Sequence, residues 1–350
     1  MGQSFGLKTK RCMHHRASLA ITLAVVALYY GGTVLVQPST NLFQAGHPGR
    51  SRPGEDFHGV FNKMRSSHSR LRRPPRVALC FFGLTRSLSV TRASLRRHVL
   101  DVLTSHGWAY DIFLHTYVKH TLTNPRSNEA NVDLDTNEWR YLRPTGVLIE
   151  DSDKVDADYV KPLLPNILTR GDLWREHAVN HSSMANLLSQ LRSIEKATGL
   201  LLRAQEKSLT TYDAVIFLRP DVWFFNDINM QEVETARAGP GVMFIPEFHA
   251  VAAAKEVNDR FAICHPADAK IWGQRRRLVD EYVFGRNETL HSERLLGYAL
   301  RQANITVKPS TIFFGRVRAN KVLWGRPGKE TMVIKPMQMV SNALGGWRVC

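Results

Sequence analysis

The chain has 350 residues, with 47 Lys and Arg against 31 Asp and Glu, a formal net charge of +16. Such a surplus invites a nucleic-acid reading, but its position excludes one: residues 1–76 carry 12 Lys/Arg and 2 Asp/Glu, a net of +10, leaving 35 against 29 and a net of +6 for all the rest. That moderate excess suits an anionic ligand without nucleic acid, and 4 cysteines exclude a disulfide-dense scaffold.

The first 16 residues read as a cytoplasmic tail, with Lys8, Lys10, Arg11 and Arg16 and no acidic residue before Glu55. Residues 17–36, ASLAITLAVVALYYGGTVLV, are 20 consecutive residues without a charge. At ~1.5 Å per residue such a helix spans the ~30 Å hydrocarbon core of a bilayer. Basic residues before a first apolar segment hold that end in the cytoplasm. The segment is longer than a cleaved signal sequence and lacks an Ala-x-Ala site, so it reads as a signal anchor. Cys12 beside it is a candidate for palmitoylation. Residues 37–75, rich in Gly, Pro, Ser, Arg and His, read as a flexible lumenal stem that cannot bury enough apolar surface to order itself. Residues 76–350 suffice for one large α/β domain.

Within that domain the run RVALCFF at 76–82 predicts a buried strand ending at Gly83. A helix follows over 89–105, then strands at 108–117 and 146–150. The acidic stretch DSDKVDADYVKP at 151–162 reads as a solvated loop. Apolar spacing predicts a long amphipathic helix over 184–205. A further strand at 212–225 runs into a loop, and short strands follow at 242–246 and 259–264. A helix at 293–303 and late strands at 306–308 and 311–317 complete the pattern. Strands alternating with helices argue for a mostly parallel sheet covered on both faces. Ligands of such sheets bind at the carboxyl ends of the strands.

The chemistry concentrates at Ile216-Phe217-Leu218-Arg219-Pro220-Asp221-Val222-Trp223-Phe224. A carboxylate set in an apolar run must have its desolvation met. Arg219 is one partner, giving a structural ion pair; a divalent cation with phosphate oxygens is the other. Asp151-Ser152-Asp153, with Asp156 and Asp158 beyond it, is a rival acidic pair. Asp259, in Asn258-Asp259-Arg260-Phe261, is a candidate general base. Glu293 opens the late helix, with Ser292 as expected N-cap. His177 and His181 lack a third ligand at zinc spacing. No P-loop, Gly-x-Ser-x-Gly, His-Glu-x-x-His or Gly-x-Gly-x-x-Gly occurs.

The long helix followed by YDAVIFLRPDVWF resembles the centre of glycosyltransferases of the GT-A fold. There a strand ends in Asp-x-Asp, which grips a nucleotide-sugar diphosphate through a metal. Gly83, Thr85 and Arg86 resemble the nucleotide-binding start of that fold, as does YDIFLHTY with Asp111 and His115. The closer likeness is to glycosyltransferase-like type II membrane proteins sharing the segment at Asn180, Ser182, Ser183 and Met184, the Arg-Pro-Asp strand, an Asn-Asp-Arg-Phe segment and a late Glu-bearing helix. The resemblance covers residues 76–320. It implies a GT-A-like, Rossmann-like sheet and a Golgi enzyme that moves a sugar from a nucleotide-sugar to a glycan or glycoconjugate. Donor contacts would come from Gly83, Thr85, Arg86, Asp111, Asn180, Arg219 and Asp221, with Mn²⁺ or Mg²⁺ on Asp221. Asp259 and Glu293 would face the acceptor. Asn180 would point at the donor, buried away from glycosylation. The first Asp of Asp-x-Asp is Arg219 here, which puts metal dependence in question and leaves a non-catalytic lectin-like or scaffold descendant as an alternative. A sulfotransferase is disfavoured, because FFGLTRS after the first strand has no Lys.

Sequons stand at Asn180, Asn287 and Asn304. In intact microsomes the residues beyond Val36 are expected to resist added protease, and Asn287 or Asn304 to carry glycan. Digestion of the carboxyl-terminal domain without detergent would reverse this orientation.

Overall fold

Strand β1 (Arg76–Phe82) is fully buried from Val77 onward. The reason is that both of its faces are covered. Val77, Leu79 and Phe81 pack into one apolar cluster, and Ala78, Cys80 and Phe82 into another. A strand buried on both sides reads as a continuous apolar run. The computed structural model describes residues 73–174, 179–208, 210–248 and 255–324. The expected anchor at 17–36, most of the stem, Cys12, His177 and Cys350 lie outside the described residues, among which no helix is long and apolar enough to cross a membrane.

After β1 come α1 (Leu88–Leu95), continued through a π turn into α2 (Asp101–Ser105), and β2 (Ala109–Val118). A hairpin of β3 (Thr121–Asn124) and β4 (Glu129–Asp133) precedes β5 (Gly146–Asp151). The acidic stretch is helical, not a loop: α3 (Ser152–Val155) leads through a further turn to α4 (Lys161–Leu168). Asp151 caps it, its Oδ1 accepting from the amides of Asp153 and Lys154 at 2.9 Å each. The rival acidic pair is thus a helix cap. Its charges face water while Val155 and Val160 are buried, a periodicity that the acidic composition hides.

The long helix α5 (Ser182–Ser208) then crosses the sheet. The expected single strand at 212–225 is two. β6 (Ala214–Leu218) pairs with β1, and β7 (Val222–Phe224) pairs antiparallel with β11 (Phe314–Val317) in a separate three-stranded sheet. The break falls at Pro220, whose ring nitrogen donates nothing to a ladder. The remaining elements are α6 (Met230–Ala238), β8 (Val242–Ile245), β9 (Ala262–Cys264), α7 (Ala269–Gly273), α8 (Ser292–Gln302), β10 (Thr306–Pro309) and β12 (Leu323–Trp324).

The main sheet has seven strands in the order β10-β8-β9-β6-β1-β2-β5. All neighbours are parallel except β9, which runs against both β6 and β8. One face is covered by α1, α2 and α6, the other by α5, α7 and α8. This is an α/β architecture compatible with a Rossmann-like fold. From β1 the chain winds outward to β2 and β5; with β6 it restarts on the other side of β1. The carboxyl ends of β1 and β6 therefore flank the point where strand order reverses, which is where such sheets form their ligand crevice. Cys80 and Cys264 are both buried free thiols in this sheet, and burial raises the pKa of each, keeping them protonated.

One close approach fixes the site. Gly297 lies in mid-α8, where a Cβ would overlap the carbonyl oxygen of Lys255, so α8 rests on the chain leading to Asp259. Ala is favoured over Gly in a helix by about 1 kcal/mol, yet Gly297→Ala is expected to destabilise by about 1–3 kcal/mol through overpacking. Denaturant unfolding measures it. Equal or higher stability would mean that the segment at 255–258 yields freely.

Candidate functional site

The left-handed turn that ends β1 needs glycine, with φ +96° at Gly83. The Gly83 amide donates to Ser193 Oγ on α5 at 2.8 Å. The Thr85 carbonyl closes the next turn onto Leu88 N at 3.0 Å, and the Thr85 side chain is buried. Glu138 reaches the first turn of α1, accepting from Leu88 N at 2.6 Å and from Ser89 Oγ. That helix start is therefore occupied by a protein carboxylate. The effect is to aim Arg86 across the crevice at Asp221.

Asp221 is completely buried. Arg219 grips it with two nitrogens, Nε to Oδ1 at 2.7 Å and Nη2 to Oδ2 at 2.8 Å, and Arg86 Nη2 adds a third bond to Oδ2 at 2.9 Å. Burial by itself would raise the Asp221 pKa; the guanidinium groups of Arg219 and Arg86 overcome this and hold it far below the carboxylate range. Asp221 is thus a structural anion that keeps two arginines in place.

The network continues. Arg219 Nη1 donates to Gln190 Oε1 at 2.9 Å, and Gln190 Nε2 donates to Asp259 Oδ2 at 2.6 Å. Ser292 Oγ donates to the same oxygen. His291, not Ser292, is the N-cap residue of α8; the Ser292 hydroxyl is spent on Asp259. Arg260 spans both acidic residues, with Nη1 3.4 Å from Asp259 Oδ1 and Nη2 donating to Glu293 Oε1 at 3.0 Å. Burial works to raise the Asp259 pKa, but Arg260, Arg275 and the Ser292 hydroxyl outweigh it and hold it at about 2. Glu293 goes the other way: burial and the neighbouring Asp259 charge push it up to about 7 against the pull of Arg260. Two adjacent carboxyls with pKa values driven apart are the usual signature of an acid–base assignment.

Of the residues expected from sequence, Arg86, Arg219, Asp221, Asp259 and Glu293 fall in this one network, with Gly83 and Thr85 shaping its rim. Two do not. Asp111 pairs in register with Ala78, four residues before His115, which is level with the carboxyl end of β1, or roughly 13 Å back along the strand. It is spent on Arg76, the Tyr212 hydroxyl at 3.0 Å and the Thr145 hydroxyl at 3.2 Å. Asn180 is exposed rather than buried, in a left-handed turn before α5 (φ 51°) that Asn tolerates. In place of Asp111, His115 stands at the crevice, its Nδ1 2.8 Å from Ser193 Oγ and its Nε2 3.0 Å from Glu150. Arg192 holds Glu150 with two bonds, at 2.9 and 2.7 Å. Next to this pair lies a cavity of about 380 Å³ lined by Glu150, Lys154, Tyr159 and Arg192.

Sequence reasoning passes over Gln190, Glu129, Arg316 and Arg318. The last two stand two residues apart, Arg316 on β11 and Arg318 just past its end, at the spacing of one face of an extended chain. That spacing is a visible signal once 314–317 is known to lie beside β7. Glu129 is buried, accepts from Ala319 N at 2.6 Å and lies 3.5 Å from Arg86 Nη1.

The donor set does not fit the divalent cation implied by the resemblance. Both Asp221 oxygens are committed to guanidinium groups, and the near neighbours are further arginines. Among the described residues no group of three or more His, Cys, Asp or Glu could hold a metal ion. No protein-family model matches this chain, and no curated protein matches it. The functional reading therefore rests on the site's own residues.

Replacing Asp221 with Asn leaves two buried guanidinium groups short of a counter-charge. Breaking such a pair costs about 3–5 kcal/mol, so Asp221→Asn is expected to lower unfolding stability by that amount in a denaturant titration. A loss under about 1 kcal/mol would remove Asp221 as the anchor of the crevice.

Proposed function

We propose that this protein is a glycosyltransferase-like enzyme with a GT-A-type arrangement. It transfers a sugar from a nucleotide-sugar to a glycan or glycoconjugate acceptor, from a type II position in the Golgi membrane. The observation that carries this reading is the pairing, across one crevice at the strand-order reversal, of an arginine cluster with a carboxyl poised near neutral pH. The arginines suit the diphosphate of a leaving nucleoside diphosphate. The cavity beside Glu150 and Tyr159 has room for the nucleoside end, at a volume in the range of small-molecule sites.

In this reading the roles of the two acidic residues differ from those suggested by sequence. Asp259, committed to Gln190, Ser292 and Arg260 and held at about 2, is a weak base and serves as a positioning residue. Glu293 is the better general base, since proton transfer is most efficient from a group whose pKa lies near working pH. An acceptor hydroxyl oxygen forms its bond to the anomeric carbon, the glycosyl–phosphate bond breaks, and the diphosphate departs with that electron pair. The hydroxyl proton goes to Glu293. A second reading, a non-catalytic carbohydrate-binding descendant, is favoured by one observation: both Asp221 oxygens are already occupied.

The full-length chain is to be tested for sugar release or transfer from a panel of nucleotide-sugars. Turnover is expected to rise with pH through about 7, because the raised pKa of Glu293 leaves the basic carboxylate dominant only above that value. Glu293→Gln is expected to lower turnover about 10²–10⁴-fold while donor affinity survives. No turnover with any nucleotide-sugar would favour the carbohydrate-binding reading.

A further inference from the structure

The crevice holds more positive than negative charge. Arg86, Arg219, Arg260, Arg275, Arg316 and Arg318 interact there with Glu129, Asp221, Asp259 and Glu293. Glu293 is partly protonated at neutral pH, which widens the surplus.

The donors also outnumber their acceptors. Arg86 Nε, Arg260 Nη1, and both Nε and Nη2 of Arg275 are buried without a hydrogen-bond partner. Arg275 is 1% exposed and is held by its Nη1 bond to the Trp272 carbonyl at 2.7 Å and by the Trp272 ring 4.4 Å beneath it. Arg316 is the most telling. It sits half-buried on β11, opposite Val222 and next to the Asp221 turn. Its guanidinium makes no hydrogen bond or ion pair among the described residues; the charges of Arg260, Arg318 and Arg219 act on it, opposed by that of Asp221. Burial, reinforced by those like charges, pulls its pKa well below the usual value for an arginine. Buried donors left unpaired and a charge left uncompensated are costly unless a ligand meets them.

We propose that this arginine cluster, with Arg316 as its free anchor, binds the diphosphate group of a nucleoside diphosphate directly and without a divalent cation. The nucleoside part rests on the donor reading above; the anion site stands on the unpaired guanidinium groups. By the resemblance to Asp-x-Asp, Arg219 stands where the first of two metal-holding carboxylates would be. Asp221, the remaining one, orients Arg86 and Arg219. Guanidinium forks match phosphate oxygens two at a time, supplying both charge and geometry where a metal would supply charge alone. A cation brought into this surplus would be repelled by it, whereas a diphosphate relieves it.

Isothermal titration of the full-length chain with UDP, GDP and inorganic pyrophosphate, each in EDTA and each with Mn²⁺, tests this. At least one nucleoside diphosphate is expected to bind in EDTA, with affinity changed less than about threefold by Mn²⁺ and falling as salt rises. Arg316→Gln is expected to weaken it at least about tenfold, while the unliganded variant unfolds at the same or a higher temperature, because a half-buried charge acted on by like charges has been removed. An Arg316→Lys variant, which keeps the charge and loses the fork, is expected to fall between the two. Binding that appears only with Mn²⁺ would overturn the metal-free site and leave the donor reading standing. Pyrophosphate binding in EDTA without any nucleoside diphosphate binding would keep the anion site and overturn the donor reading. No binding of any probe in either condition, or full binding by Arg316→Gln, would overturn the proposal.

Discussion

A single buried carboxylate organises the crevice. Asp221 has no access to water, so its charge must be met inside the protein. Arg219 meets it from two residues away, and Arg86 from the loop after β1. Each arginine is tied in turn to something else. Arg219 reaches Gln190 on α5; Arg86 lies 3.5 Å from Glu129 on the β3–β4 hairpin. The backbone takes part too: Val317 N donates to the Asp221 carbonyl at 2.7 Å, and the Thr91 hydroxyl donates to the Pro220 carbonyl at 2.6 Å. The place where the chain leaves the main sheet for the small one is thus fixed from four directions.

The same network links two electrostatic regimes. At the Asp221 end, guanidinium groups outnumber carboxylates, and Arg219 and Arg86 keep Asp221 ionised. At the Glu293 end, burial and the Asp259 charge favour the neutral acid, and Arg260 moderates but does not reverse this. Gln190 bridges the two ends by accepting from Arg219 and donating to Asp259. An amide suits that position because it has one acceptor and donors on the same planar group. In the function proposed above, the arginine-rich end would take the anion and the Glu293 end would take the proton.

Much of the architecture was legible along the chain. RVALCFF predicted β1 to the residue, and the strands at β2, β5 and β8 and the helices α5 and α8 appear within a few residues of the expected bounds. Their apolar runs and helical spacings are dictated by burial, which is a local signal once both faces of a sheet are covered. The misses have physical causes. Acidic composition hid α3 and α4, because two helix turns with a narrow apolar stripe look like solvated loop. Pro220 divided one apolar run between two sheets, which hydrophobicity alone does not reveal. Asp111 failed as a donor contact because the direction and register of β2, not its residue type, put it toward the wrong end of the sheet.

The sequence by itself determined that Arg219 and Asp221 lie at a strand end, since a charged pair flanked by apolar residues and a proline can stand nowhere else in a buried sheet. It also singled out Asp259 and Glu293 as acidic residues beside short elements. Only the tertiary structure decided what these groups are. The partners that set their charge come from far along the chain: Arg86 is 135 residues from Asp221, Gln190 69 from Asp259, and Arg260 33 from Glu293. Whether a carboxyl is a fixed counter-ion or a titratable base depends on burial and on the charges within a few ångströms of it. Those distances exist only after β1, β6, β9 and α8 have been brought to one crevice.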